Sequence, residues 1–508
     1  MPMIEQVTNI IQSIWQYHPD EPLFYTGLAF WIAFTFVLGV YSLVYRKNSL
    51  RNGYLLLVSW FIYYQMSGAF LALLAFSCLA NYGFGLLVGH GKGRRLWLTL
   101  AVTLNLLILG YFKYTYFFID TVNQVFQTDY RVFNWIGWLL NQVAGDVVDE
   151  QSILLPIGIS FYTFQAISYL VDVFRGDSEQ VKNPLDFSFY LSFFPQLVAG
   201  PIVRASSFIP QLYQKFRLKK KEFSHAIFLI TKGLFKKMVI ADFLALNFVD
   251  RVFEAPLAYS GLENLLSVYA YSIQIYCDFS GYTDIAIGLA LILGFKIPVN
   301  FNAPYQAFSL TDFWHRWHIS LSLWLRDYLY IPLGGNRKGA VRMYVNLLIT
   351  MILGGLWHGA NFRFLIWGAI HGVGLAFEKF FRKALSLRSK PKGWKKLLSV
   401  LATFQVVSLA WIFFRARNYS VIQQLFYQIR HHFLPQNLTA GWESYQWVIV
   451  VFLVGLVVIW VPNTYKEKLR GAFIALPSWA QIPVVMGVLL VIALVAQAGL
   501  QPFIYFRF

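Results

Sequence analysis

VNLLITMILGGLWHGA, residues 345–360, is an apolar run that ends on a histidine. Upstream lies an amphipathic stretch with two more, DFWHRWHISLSLWLRDY, residues 312–328. Packing alone does not explain an imidazole at the edge of a run as greasy as the one before His358. A titratable ring at membrane depth must find a partner, a cavity or water, so it is a functional-site hypothesis by default. If the run crosses a bilayer, the fold is an all-α polytopic membrane protein, and the rest of the chain agrees.

Of the 508 residues, 57% are hydrophobic, 19% aromatic and only 13% charged. Mean hydropathy is +0.53, and soluble domains are about one quarter charged. Many apolar runs approach the roughly 20 residues that a bilayer demands. The formal net charge is +18, which in a soluble chain would point to nucleic acid. Here the bases cluster between apolar runs, as in KFRLKKK (215–221) and RKALSLRSKPKGWKK (382–396). The positive-inside rule makes these cytoplasmic loops, so the expected surface is the lipid bilayer and no nucleic acid. Cys78 and Cys277 each sit inside an apolar stretch, with neither metal-site nor disulfide spacing. The N-terminus is polar and acidic (Glu5, Gln6, Asp20, Glu21) with no basic region ahead of the first apolar run. The first span is therefore expected to stay in the protein, with residues 1–23 outside the cytoplasm.

Working along the chain, residues 24–44 read as the first span, and Arg46, Lys47 and Arg51 place its end in the cytoplasm. Residues 54–64 and 70–88 form a close pair, and 96–118 cross outward to an acidic loop, 120–150. Residues 153–173 return. Residues 187–203 are apolar but broken by Pro195, Gly200 and Pro201, which predicts a re-entrant element buried in protein or lining a wet cavity. Residues 225–249 and 265–295 are the next passes; the second is over-long for a bilayer and must tilt, break or pack inside a bundle. Residues 343–357, 362–380, 397–414, 447–461 and 482–498 bring the count to about twelve crossings, with 419–432 as an interfacial helix. The domain reading is a core over 24–415 and a C-terminal unit over 416–508. No internal repeat of the transporter kind is present.

Three groups of residues could carry chemistry. His358 sits among Gly354, Gly355 and Gly359, which let another helix or a ligand approach the backbone. It reads as a general base or orienting group for a hydroxyl; the alternative is a histidine satisfied by a carbonyl at a helix end. His315 and His318 are three apart, so on one helix they share a face. The alternative for both is an interfacial amphipathic helix with tryptophans at headgroup depth. Asp278, Tyr282 and Asp284 (YCDFSGYTDIAIG) are polar groups inside an apolar run. They are expected to organise the bundle by bonding to a neighbouring helix or an arginine, with a proton or substrate path as the second reading. Asp312 and Arg326 add charge without an assigned role. His371 reads as structural, and His431 and His432 as solvated. Zinc spacing, a phosphate loop, a dinucleotide fingerprint and a GxSxG elbow are all missing, so no metal is expected.

Five stretches resemble a known family: LPIGISFYTFQAISYLVDVFRG (155–176), FFPQLVAGPIVR (193–204), YCDFSGYTDIAIGLALILGF (276–295), NFNAPYQAFSLTDFWHRWHISLSLWLRDYLYIPLGG (300–335) and GGLWHGANFRFLIWGAIHG (354–372). They resemble the membrane-bound O-acyltransferases (MBOAT). The likeness is strongest to the bacterial alginate O-acetyltransferase (AlgI) group, with the D-alanyl transfer protein DltB as a cousin. It implies a ring of about 11–13 transmembrane helices, with re-entrant elements around a central tunnel. The histidine of the family's WHG motif, the catalytic one, falls on His358, and its usual companion falls on His318. His315, Trp357, Asp278, Tyr282, Asp284 and Arg326 would be supporting or tunnel residues. The implied reaction is O-acyl transfer in the bacterial inner membrane. The donor would be a cytoplasmic acyl thioester such as acetyl-CoA, with no bound cofactor. The acceptor would be a hydroxyl of an extracytoplasmic partner that serves a secreted polysaccharide. The competing readings are D-alanyl transfer to a cell-wall polymer, a lipid or polysaccharide transporter with a histidine proton relay, and a scaffold for an export complex.

Overall fold

In the computed structural model of the protein, residues 14–15, 17, 22–90, 92–144, 149–197, 200–386, 389–435, 442–495 and 503 are described. Glu5, Gln6, Asp20, Glu21, Asp146, residues 198–199 of the broken element and residues 496–498 of the last apolar run lie outside them. Among the described residues there are helices and no strands. Seven helical stretches are long and apolar enough to cross a membrane. One of them, Asn48–Gly89, holds both members of the close pair, interrupted at Gly68, whose φ is +56°. Leu28–Val44 is apolar but has 17 residues. Tyr445–Trp460 and Asn463–Ala475 meet at a 97° bend. Several runs read as crossings thus belong to shorter or broken helices.

Gly261–Ile292 is the axis of the molecule. Its 32 residues start at a capping box: Ser260 Oγ accepts from Glu263 N, and Glu263 Oε2 accepts from Ser260 N at 2.8 Å. At about 1.5 Å per residue it runs for roughly 48 Å, well beyond a hydrocarbon core of about 30 Å. Its best apolar window is 89% buried inside the protein, so most of this helix faces other helices and not lipid. That explains its polar content. Lys237 Nζ donates to Asp278 Oδ1 at 2.6 Å, and Asp284 takes Lys232 at 3.0 Å and Lys236 at 2.8 Å. The lysines come from Lys220–Leu234 and its wide-turned π-helical continuation Phe235–Asp242. Asp278 and Asp284 thus bond to a neighbouring helix, the first of the two partners expected, through its lysines. A Cβ on Gly233 would stand 2.6 Å from Gly281 O, so the two backbones cross in near contact there.

The broken element is as expected. Pro184–Ser192 ends at Phe193, Phe194–Leu197 follows, and residues 201–204 are irregular before Ala205–Leu212. Phe187, Phe189, Phe193 and Phe194 are fully buried, so this irregular backbone is enclosed by protein. The 312–328 stretch departs from the interfacial-helix reading. It is two short helices, Leu310–Trp314 and Ile319–Leu325, followed by the π-turn Arg326–Tyr330, and Trp314, Trp317 and Trp324 are buried. The C-terminal helices pack back on this body: Gln481 Nε2 donates to Ser224 Oγ at 3.0 Å and Tyr445 OH donates to the carboxylate of Glu263 at 2.5 Å.

Candidate active site

Ala340–His358 runs from the bases Arg337, Lys338 and Arg342 at one end to His358 at the other. It packs along Phe362–Ala384 through glycine: a Cβ on Gly355 would overlap the carbonyl of Phe364, and one on Gly368 would overlap that of Met351. Gly359 turns extended (φ −165°) and ends the helix. The last turn leaves carbonyls with no partner of their own. Helix Arg94–Phe126 supplies the donors: Tyr114 OH to Leu356 O at 2.9 Å, and Lys113 Nζ to Trp357 O at 2.6 Å and His358 O at 3.3 Å. The ring of His358 is buried and meets Trp357, Trp367 and Phe414 edge-on, at centroid distances of 5.0, 5.1 and 5.3 Å. It borders a cavity of about 100 Å³ lined by Lys113, residues 155–161, Trp357 and His358.

His318 is fully buried, with its ring 6.2 Å from the Trp357 ring between centroids. Phe279 of the axial helix meets it edge-on at 4.7 Å, and Phe161 stacks at 6.5 Å. Its backbone is left-handed, φ +41° and ψ +57°, a conformation that side chains rarely adopt. This residue breaks the helix. The shared face expected of His315 and His318 is therefore lost, and His315 points outward and is exposed. Asn300 fixes the break. Its backbone O accepts from Ile319 N at 2.9 Å. Its Oδ1 accepts from Ser320 N at 3.1 Å, from Ser320 Oγ at 2.9 Å and from His318 Nδ1 at 3.2 Å. An oxygen cannot donate, so neutral His318 carries its proton on Nδ1 and its lone pair on Nε2.

The family model for membrane-bound O-acyltransferases matches residues 55–419. The chain belongs to that family. It is 43% identical, over 77% of its length and 76% of the other, to a probable alginate O-acetylase AlgI of Pseudomonas putida. It is 38% identical to a peptidoglycan O-acetyltransferase of Helicobacter pylori, over 75% of this chain and 74% of that one. A teichoic acid D-alanyltransferase of Bacillus subtilis is 30% identical over 52% of this chain and 69% of its own. The protein is thus a multi-pass membrane O-acyltransferase.

Within this acyltransferase the residues singled out by sequence divide. His358, Trp357 and His318 come together around one indole ring. Asp278 and Asp284 face the lysines of the neighbouring helix, and Tyr282 packs on Tyr25 and Phe503 at 5.7 and 4.7 Å. Arg326 is exposed and bonds Asp327 at 2.6 Å, outside the cavity lining. Asp312 holds Arg316 one turn on, at 2.9 Å. His371 is buried against Trp367 and Trp314, at 4.9 and 5.2 Å. Asn300 and Lys113 escaped the sequence reading. Asn300 gives no periodic signal, but Lys113 stands alone in the apolar run YFKYTYFF, and that isolated charge was the available sign.

Proposed function

We propose that the protein transfers an acyl group, acetyl in the first instance, from a cytoplasmic thioester such as acetyl-CoA to a hydroxyl outside the cytoplasm. The acceptor is the hydroxyl of an extracytoplasmic acetyltransferase or acyl-accepting protein that modifies a secreted polysaccharide. Acetyl is favoured over D-alanyl because the O-acetylating relatives share more identity over more of the chain. The protein sits in the bacterial inner membrane with its N-terminus outside. Arg94 and Arg95 begin one helix and Arg337 and Lys338 precede another, and these basic ends face the cytoplasm. Lys113 lies 19 residues along from Arg94, about 28 Å at 1.5 Å per residue, so Lys113 and the His358 cavity it lines lie in the outer half.

In the reaction His358 removes the hydroxyl proton as the oxygen attacks the thioester carbonyl. The C–O bond forms, the C–S bond breaks, and the thiolate leaves and takes up a proton. His318 has a positioning role in this step. With its proton committed to Asn300, its Nε2 accepts a hydrogen bond, so it orients a hydroxyl or thiol. The apolar wall of Phe161, Phe164 and Trp357 keeps water from the thioester. One observation carries the reading: His358 borders the cavity, and both His358 and His318 meet the same indole ring.

The test is transfer from labelled acetyl-CoA by purified protein. His358→Ala is expected to lower the rate by roughly 10²- to 10⁴-fold, the range for a lost general base, while the protein accumulates normally. Transfer by His358→Ala at the wild-type rate would remove the assignment.

A further inference from the structure

Lys113 is a cation inside the apolar helix Arg94–Phe126. Its Nζ donates to the carbonyls of Trp357 and His358, lies 3.4 Å from Ser160 Oγ and stands 5.8 Å from the Trp357 ring centroid. Among the described residues no carboxylate lies within ion-pair distance of it. A cation suits the negative end of a helix dipole and caps orphan carbonyls. Capping alone does not need a charge, since the Tyr114 hydroxyl caps Leu356 O from the next position. A lysine at membrane depth is costly, which makes function the default explanation of its presence. It also lines the cavity that His358 borders.

We propose that Lys113 is a positioning residue of the acyl-transfer site. Its ammonium grips the two carbonyls that flank the His358 Cα and so sets the imidazole against the cavity. This rests on the reading of His358 as the base. The grip acts on the ring's placement and not on donor binding, so its loss lowers kcat and leaves the donor KM in place.

Lys113→Cys in otherwise unchanged protein tests it. The native Cys78 and Cys277 are buried, so 2-bromoethylamine applied to the purified, folded protein rebuilds a lysine-like ammonium at the half-buried position 113, which lines the cavity. We expect kcat to fall roughly 10- to 100-fold in Lys113→Cys, the scale of a reacting group displaced by about 1 Å, with donor KM within about twofold. Aminoethylation should then restore kcat to within about threefold of wild type, which a defect in folding could not do. Wild-type kcat in Lys113→Cys, or no recovery after stoichiometric alkylation confirmed by mass, overturns the proposal. If Lys113→Cys does not accumulate, Lys113→Gln carries the test, because its amide still caps a carbonyl without charge; wild-type kcat there overturns it equally. His358→Ala, measured in parallel, separates the two claims: an inactive His358→Ala beside a fully active Lys113 variant refutes only the positioning role, and an active His358→Ala refutes the base and the proposal with it.

Discussion

At the scale of single residues, the site depends on one left-handed histidine. His318 leaves the helical phase, which sends its own ring inward and that of His315 outward. Asn300 holds that geometry by accepting three hydrogen bonds on one oxygen. Asn300→Ala leaves buried donors without an acceptor, at about 1–3 kcal/mol each. We expect a lower unfolding temperature in detergent and a transfer rate reduced at least about tenfold, as for a misplaced reacting group. His315→Ala should keep the rate within about twofold, as surface changes do; a hundredfold loss would place His315 at the reaction. The sequence made His358 visible because an imidazole closes an apolar run. It could not choose between His315 and His318, because spacing of three implies a shared face only if the helix is continuous. Lys113 was legible in principle as one base among aromatics, whereas Asn300 acts across 18 positions through a fold that no local pattern encodes.

At the scale of elements, the helix pair Ala340–His358 and Phe362–Ala384 is set by glycine contacts. Gly355→Ala puts a methyl into the Phe364 carbonyl, and only a backbone shift relieves it. Overpacking of this kind costs about 1–3 kcal/mol, and the shift moves the turn that ends on His358. The expected result is lower thermal stability together with slower transfer. Gly110→Ala is the matched control: nothing lies within 4 Å of its Cβ, and the change should be neutral or stabilise by about 0.5–1 kcal/mol. Equal damage from both would contradict the close-packing account. The glycines near His358 were readable as a place of close approach. Which helix approaches was not, because that partner is fixed by tertiary packing.

At the scale of the whole molecule, the buried axis Gly261–Ile292 ties the bundle together through ion pairs that lipid could not solvate. Lys237 is 1% exposed at its side chain and Asp278 is 4% exposed. Lys237→Met takes a buried cation from both Asp278 and Asp242, and breaking a buried pair costs about 3–5 kcal/mol. The variant should accumulate poorly in membranes, and adding Asp278→Leu should recover part of the loss. A single variant as abundant and as heat-resistant as wild type would show that the pair does not hold the bundle. The all-helical membrane class was plain from composition. The number of crossings was less so, because hydropathy counts apolar runs alike whether they face lipid, as Ser478–Val495 does, or bury in protein, as Ile159–Arg175 does.

The central claim is that acyl transfer at His358 links a donor on one side of the membrane to an acceptor on the other. Sealed vesicles holding the purified protein in a single orientation, with labelled acetyl-CoA on the face bearing Arg94 and Arg337 and a hydroxyl acceptor only on the opposite face, measure that directly. Label should reach the acceptor with wild-type protein and fall at least about 100-fold with His358→Ala, as for loss of a general base. Label crossing at equal rates with both proteins, or reaching an acceptor only when it shares the donor's side, would contradict the account.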